Sequence, residues 1–403
     1  MLWFLFMNFS LAMYGGSILN AYMATSLQMP RDSFGAGVSL AYLLMGLVSP
    51  LTAVLINRLK PRITLALGML LFALSALLLG TVVRDAFGFT IAFGVVGGFG
   101  LSLGGIMPLQ TVVANWFVRK RAMATAILLS SGGVGGLLAS YLYSFLIEQA
   151  GFSWQHIWLM ISAFSLLLGV LTLFFVHNHP DDLSQKPDGT PRPDKKENKA
   201  RPRRQVYQTD SEWDFKEAMR TPTIWWIMLG SLGMAVSFEF CSAYGVIHLM
   251  DLGYENVIAS ISVGILAAFA ILGRLVTGYL GDRVELRWVM VVGSLLLGVG
   301  CLLALSPASH TVIVLYALLA GLGQGLVFVA LFAILPNYFG TQSISSIFAV
   351  FMPFISVATA VMIYLGGVIR TRSGSYTTGF VVCSVIAFIA AAASVAARPP
   401  LKK

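Results

Sequence analysis

The chain has 403 residues, 57% of them hydrophobic and only 11% charged, with a formal net charge of +9. A soluble domain carries about 25% charge, so a chain this apolar must be solvated largely by lipid. That composition excludes an ordinary soluble enzyme and leaves room for about twelve spans of roughly 20 residues plus loops.

Apolar runs fall at 2–28, 36–57, 63–83, 88–117, 122–147 and 155–176, then at 223–250, 258–280, 288–306, 311–335, 345–369 and 379–397. The predicted fold is therefore an all-α integral membrane protein with twelve transmembrane helices. It divides into an N-terminal six-helix bundle (1–176), a linker with a short interfacial helix (177–222) and a C-terminal six-helix bundle (223–403). No basic n-region of a signal peptide precedes the run at Leu2, which leaves room for residues upstream of Met1. Lys and Arg set the orientation. Arg58, Lys60, Arg62, Arg119, Lys120, Arg121, Arg283, Arg287, Arg398, Lys402, Lys403 and the basic linker share one side, while Arg31, Arg84, Arg370 and Arg372 lie on the other. By the positive-inside bias both termini are expected in the cytoplasm, of a bacterial inner membrane. A monomer is expected.

In chain order, the first span offers Asn20 and Tyr22, the fourth Gln110 and the fifth Tyr141 as cavity-lining candidates. Each has a plainer reading as a helix–helix hydrogen bonder. The glycine clusters GGFG (97–100) and GGVGG (132–136) read as close helix contacts or bends, since no strand precedes them to make a nucleotide loop. The stretch 177–214 is rich in Pro, Lys and Asp and poor in aliphatic residues, so it reads as a flexible linker whose KARPRR run can touch anionic lipid. WDFKEAMR (213–220) follows as a short amphipathic helix at the interface.

The seventh span contains Glu239, a candidate proton carrier if burial moves its pKa towards neutrality, or else a protonated or water-cavity Glu without a coupling role. His248, near the outer end, is either a proton relay or an interfacial hydrogen bonder. The eighth span contains Arg274, about 12 Å from Asp282. It either snorkels towards the headgroups or, as a planar donor fork, grips a substrate carboxylate. Gln324 in the tenth span and Tyr364 in the eleventh complete the lining candidates. Cys241, Cys301 and Cys383 lie far apart in apolar runs and read as small buried hydrophobes.

The halves repeat weakly. AVLINRLKPR (53–62) and GYLGDRVELR (278–287) both place a polar–Arg pair and a second arginine four residues on, at Asn57-Arg58 with Arg62 and at Asp282-Arg283 with Arg287. GFGLSLGG leads to Asn115-Trp116-Phe117 as GLGQGL leads to Asn337-Tyr338-Phe339. Such internal symmetry marks transporters whose site lies at the repeat interface near the midplane. Asn57, Arg58, Asp282 and Arg283 read as a conformational latch, with charges bridging neighbouring helix ends.

GYLGDRVELR resembles the loop signature of the major facilitator superfamily, with Asn57 standing for the acid in the first-half copy. NWFVRKRAMATAI (115–127), SSGGVGGLLASYLYSFLIEQAGFSW (130–154) and AYGVIHLMDLGYENVIASISVGILAAFAILGRLVTGYLGDR (243–283) are similar to segments of its monocarboxylate transporter and oxalate/formate antiporter group. The resemblance implies the major facilitator fold, with an eighth-span arginine that binds substrate carboxylate and falls here on Arg274. Ala270 stands where the mammalian carriers place an aspartate, their first-span lysine is absent, and 345–369 lacks the lysine of the oxalate exchanger. One fixed cation matches one carboxylate. The expectation is a transporter of a small, lactate-like monocarboxylate with a proton, by rocker-switch alternating access. Exchange of organic anions is the alternative; efflux is disfavoured because the fifth span lacks a Gly-Pro pair. No catalytic constellation, metal cluster or cofactor motif is present, so neither an enzyme, a cofactor nor a nucleic-acid partner is expected. A substrate sensor would need an output domain.

Overall fold

A computed structural model describes residues 1–27, 31–189, 206–209, 211–305 and 309–400. Every regular element among them is helical. The first six apolar runs give α1 (Leu2–Leu27), α2 (Arg31–Leu47), α3 (Ser49–Thr81), α4 (Ala86–Trp116), α5 (Arg121–Glu148) and α6 (Trp154–Phe175). The second six give α7 (Pro222–Asp251), α8 (Asn256–Gly281), α9 (Leu286–Leu303), α10 (His310–Phe339), α11 (Ile344–Ser373) and α12 (Thr377–Ala396). A short helix, Phe215–Met219, precedes α7. Ten helices among the described residues are long and apolar enough to cross a membrane, and α1 and α2 complete the twelve spans.

The second and third spans depart from the expected loop. Hydrogen bonds Val48 N–Leu44 O (2.9 Å) and Thr52 N–Val48 O (3.0 Å) carry α2 into α3 without a break. The second span then ends at Lys60, with φ 71° and ψ 157°, immediately before Pro61. Proline disfavours helix at the preceding residue but starts a helix well, so one residue makes the whole turn. In α4 the stretch Thr90–Gly97 is wound as a π-helix and Gly105 interrupts the helix again. Ser75 Oγ donates to Ala92 O across this widened turn at 2.7 Å.

The chain divides into two compact units. In the first, which comprises 1–116, 128–185 and 345–356, Ser162 Oγ donates to Ala73 O (2.7 Å) and joins α6 to α3. Asn8 Nδ2 donates to Ser165 Oγ (2.8 Å), and Phe9 packs edge-on against Phe72. In the second, which comprises 117–127, 186–344 and 357–403, Ser237 Oγ donates to Cys383 O (2.9 Å) and Ser384 Oγ to Gly298 O (2.9 Å). Small residues and hydroxyl–carbonyl bonds are how helices associate where no hydrophobic force drives them together. The three cysteines are free and buried.

The described parts of the linker are more ordered than their composition suggests. Residues 177–189, 206–209 and 211–214 are fastened by hydrogen bonds, among them Trp116 Nε1–His177 O (2.9 Å) and Thr209 N–Asn337 O (2.8 Å). Val206 and Trp213 are buried. The expectation of flexibility weighed only apolar burial; here loop backbone donors and carbonyls supply the binding. The KARPRR run lies outside the described residues.

Candidate functional site

Arg274 lies on α8 where that helix meets α10. A methyl group on Gly325 would strike Ala270 O, and one on Gly273 would strike Leu322 O, so the two backbones touch here. One turn on, Thr277 Oγ1 donates to Leu326 O at 3.1 Å. The close crossing puts the Arg274 guanidinium 5.1 Å from the centroid of the Phe328 ring, and the residue is 8% exposed. An aromatic face attracts a cation lying over it. Gln324 precedes Phe328 by four residues and so shares its side of α10. It is buried, and its Oε1 has no hydrogen-bond partner among the described residues.

Glu239 lies half-buried on α7 beside the core residues Phe240 and Cys241. It makes no hydrogen bond or ion pair among the described residues. At the C-terminal end of the same helix, Asp251 pairs with Arg370 (3.0 Å). His248 is fully buried, with Nε2 at 2.8 Å from Ala304 O, the carbonyl at the end of α9, and its ring 4.5 Å from Phe380. That is the geometry of an interhelical hydrogen bonder. Tyr364 is 72% exposed beside a hollow of about 490 Å³ that Tyr244, Thr371 and Arg372 also line.

The remaining lining candidates belong to the first unit. Asn20 is half-buried, with Oδ1 enclosed and without a hydrogen-bond partner among the described residues. Tyr22 donates to Glu148 Oε1 at 3.0 Å. Tyr141 is 81% exposed, whereas Tyr143, which carried no expectation, is buried. Gln110 is buried in α4.

The expected latch residues divide by role. Asp282, at the end of α8, accepts N–H bonds from Ala122 (3.0 Å) and Met123 (3.3 Å) in the first turn of α5. A carboxylate on free helix-terminal donors satisfies groups the helix itself cannot, and the helix dipole adds to the attraction. Burial pushes the Asp282 carboxyl above its ordinary 3.8 and Asp188 adds repulsion, while the two N–H groups and Arg121 pull the other way. Arg283 turns back onto its own helix, 3.7 Å from the Tyr279 ring and bonded to Tyr279 O (3.2 Å). In the first-half copy, Asn57 Oδ1 accepts from Ser345 Oγ (2.9 Å) and Nδ2 donates to Ser346 Oγ (3.4 Å), at the start of α11. Arg58 is exposed. Asp282, a charge at the end of α8, thus bridges to the beginning of α5, and Asn57 makes a neutral contact with the beginning of α11.

Sequence reasoning passed over several residues. Arg121 looked like a topology charge, yet it is 5% exposed and donates to Asn337 Oδ1 (2.7 Å) and Phe117 O (3.0 Å). Phe328 gave no signal in an apolar run. Asp188 and Glu212 looked like solvated linker acids, and both are bound to loop backbone.

The family model of the Major Facilitator Superfamily matches residues 1–285 and 251–403. The chain belongs to that superfamily. Among its members, rat monocarboxylate transporter 12 is 27% identical over 84% of this chain and 71% of its own length. The Aspergillus flavus protein named MFS transporter asaE is 28% identical over 54% of this chain, which spans 44% of that relative. The solved superfamily structure of the proton:xylose symporter XylE superposes with a TM-score of 0.73 at 15% identity, covering 97% of this chain and 92% of that one. The two-bundle, all-helical membrane fold of the superfamily is therefore the fold of this chain.

Proposed function

We propose that the chain is a secondary active transporter that moves a small monocarboxylate together with a proton by alternating access of its two bundles. The observation that carries this reading is Arg274: a buried guanidinium inside an apolar helix, with its Cζ 5.1 Å from the centroid of the Phe328 ring. An intramembrane charge is costly by about 2.5 kcal/mol or more at a helix centre, and such residues mark substrate pathways. Similarity to a protein named monocarboxylate transporter 12 supports the substrate class. Glu239, an acid in a membrane helix with no hydrogen bond or ion pair among the described residues, is assigned the coupling proton, with His248 as a secondary candidate. Asn20, Tyr22, Tyr141, Gln324 and Tyr364 are assigned to the lining, and Asn57, Arg58, Asp282 and Arg283 to the latch. Both termini are placed in the cytoplasm, with the chain as a monomer in a bacterial inner membrane.

The test is uptake of a panel of labelled carboxylates into proteoliposomes with an inward proton gradient. Gradient-driven, saturable uptake of a monocarboxylate is expected. Arg274→Lys, with the protein still folded, should reduce it on the order of 100-fold, because an ammonium lacks the bidentate fork. Glu239→Gln should abolish proton-driven accumulation. Unchanged uptake in Arg274→Lys returns that residue to snorkelling, and uptake accelerated by trans-substrate but not by a pH gradient assigns an exchanger. No carboxylate uptake at all points to efflux of another compound.

A further inference from the structure

The linker runs across two loops that the internal repeat relates, the α4–α5 loop and the α10–α11 loop. Glu212 Oε2 accepts the backbone N–H groups of Thr341 (2.7 Å) and Gln342 (2.9 Å), immediately before α11. Gly340, with φ +79°, is what lets it in, since a methyl group there would strike the carboxylate. Two further bonds lie alongside, Ser343 Oγ–Trp213 O (2.7 Å) and Trp213 N–Phe339 O (3.2 Å). Four residues earlier Gln208 Nε2 donates to Val118 O (2.8 Å), and from upstream in the linker Asp188 Oδ2 accepts from Val118 N (3.0 Å) and Arg119 N (2.7 Å). Tyr207 N is held by Glu285 Oε2 (2.9 Å) at the start of α9. One short peptide thus grips the α10–α11 loop and the loop that feeds directly into the first turn of α5. That turn is the one Asp282 holds.

We propose that residues 206–209 and 211–214 act as a strap that ties the α4–α5 loop to the α10–α11 loop and brakes release of the α5 N-terminus from Asp282, with Glu212 as its anchor. The inference rests on the latch role assigned to Asp282. For Ala122 and Met123 to leave that carboxylate, Val118 must move away from Gln208 and Asp188, so the strap bonds and the latch bonds break together. A carboxylate on two backbone donors is the strongest of these contacts. The strap sets how often the latch opens, and substrate chemistry at Arg274 is separate from it.

The test needs no substrate. Cys241, Cys301 and Cys383 are buried, so a thiol introduced as Met123→Cys, in the latched turn, reports through its rate of labelling by a membrane-impermeant maleimide on the full chain in nanodiscs. In that background Glu212→Ala is expected to raise the rate about ten-fold, the loss of one charge-assisted contact. Gln208→Ala, which removes the side-chain bond to Val118 O, should raise it about two- to three-fold. Lys216→Ala, an exposed side chain in the short helix beyond the strap, should leave it unchanged. Asp282→Ala, run in parallel, separates the two ideas. A faster rate in Asp282→Ala with wild-type rates in both Glu212→Ala and Gln208→Ala overturns the strap and leaves the latch standing. A faster rate in the strap variants but not in Asp282→Ala supports the strap as the restraint on this turn and removes the latch. If Glu212→Ala does not fold, the rate in Gln208→Ala decides alone.

Discussion

At the scale of single residues, the candidate site depends on how a guanidinium is aimed. An arginine on a long stem can point many ways, and the ring of Phe328 reduces that choice. A cation over an aromatic face contributes about 0.5–2 kcal/mol, depending on desolvation. Phe328→Leu keeps the apolar volume near Arg274 but removes the ring face. Its expected effect is a rise of about 3- to 10-fold in KM for the carboxylate taken up, with the proton dependence of uptake unchanged. Phe328→Tyr should stay near wild type. Equal kinetics for Phe328→Leu and wild type would mean that the ring is packing only. Arg274 was legible in the sequence because a charge in an apolar run stands out against its neighbours. Phe328 was not, because a phenylalanine among Leu, Val and Ala carries no mark of what lies over it.

At the scale of elements, the hydropathy pattern gave the spans but not their joints. Lipid fixes the length of a span, whereas where one helix stops is decided by one or two residues. Lys60-Pro61 is the clearest instance, since the basic, proline-containing stretch there looked like a loop and is a single-residue turn. Lys60 holds a positive φ that a side chain tolerates poorly, at a cost of about 1–3 kcal/mol. Lys60→Gly should release much of that strain and raise the thermal midpoint by a few degrees, read by intrinsic tryptophan fluorescence during a thermal ramp. A fall in the midpoint would show that Lys60 contributes a contact worth more than its strain. The linker was misread for a related reason. Its order comes from Asp188 and Glu212 seated on backbone N–H groups far away in sequence, and no local composition rule detects a partner at that distance.

At the scale of the whole molecule, the weak repeat proves to be a repeat of contacts. Asp282 lies at the first turn of α5 and Asn57 at the first turn of α11, so each copy of the loop motif meets the beginning of a helix. The copies differ in strength. Asp282 offers a carboxylate to two backbone donors, and Asn57 exchanges bonds with two serine hydroxyls. Charged hydrogen bonds are roughly twice as strong as neutral ones, so the α5 contact should dominate. Its carboxyl lies above its ordinary value, chiefly through burial, and the sign follows. The held arrangement takes up a proton more readily than the free chain. The stability that Asp282 contributes through burial is therefore complete below 3.8 and is lost as pH rises through the elevated pKa, while the two N–H bonds themselves favour the charged form. Asp282→Asn does not titrate, so the thermal midpoint of wild type minus that of Asp282→Asn should fall as pH rises from about 4 towards neutrality. A difference that is flat with pH would mean that the carboxyl titrates alike in both states. Asn57 allows the opposite experiment. It is exposed, so a charge there carries little desolvation cost, and an acid at the start of α11 gains about 0.3–1 kcal/mol from the helix terminus. Asn57→Asp should therefore strengthen the weaker contact and raise the thermal midpoint by about 1–2 °C. If the latch governs the cycle, it should also slow turnover of the transported carboxylate by about two- to five-fold. A more stable protein with unchanged turnover would separate the two effects and leave the motif a structural tie.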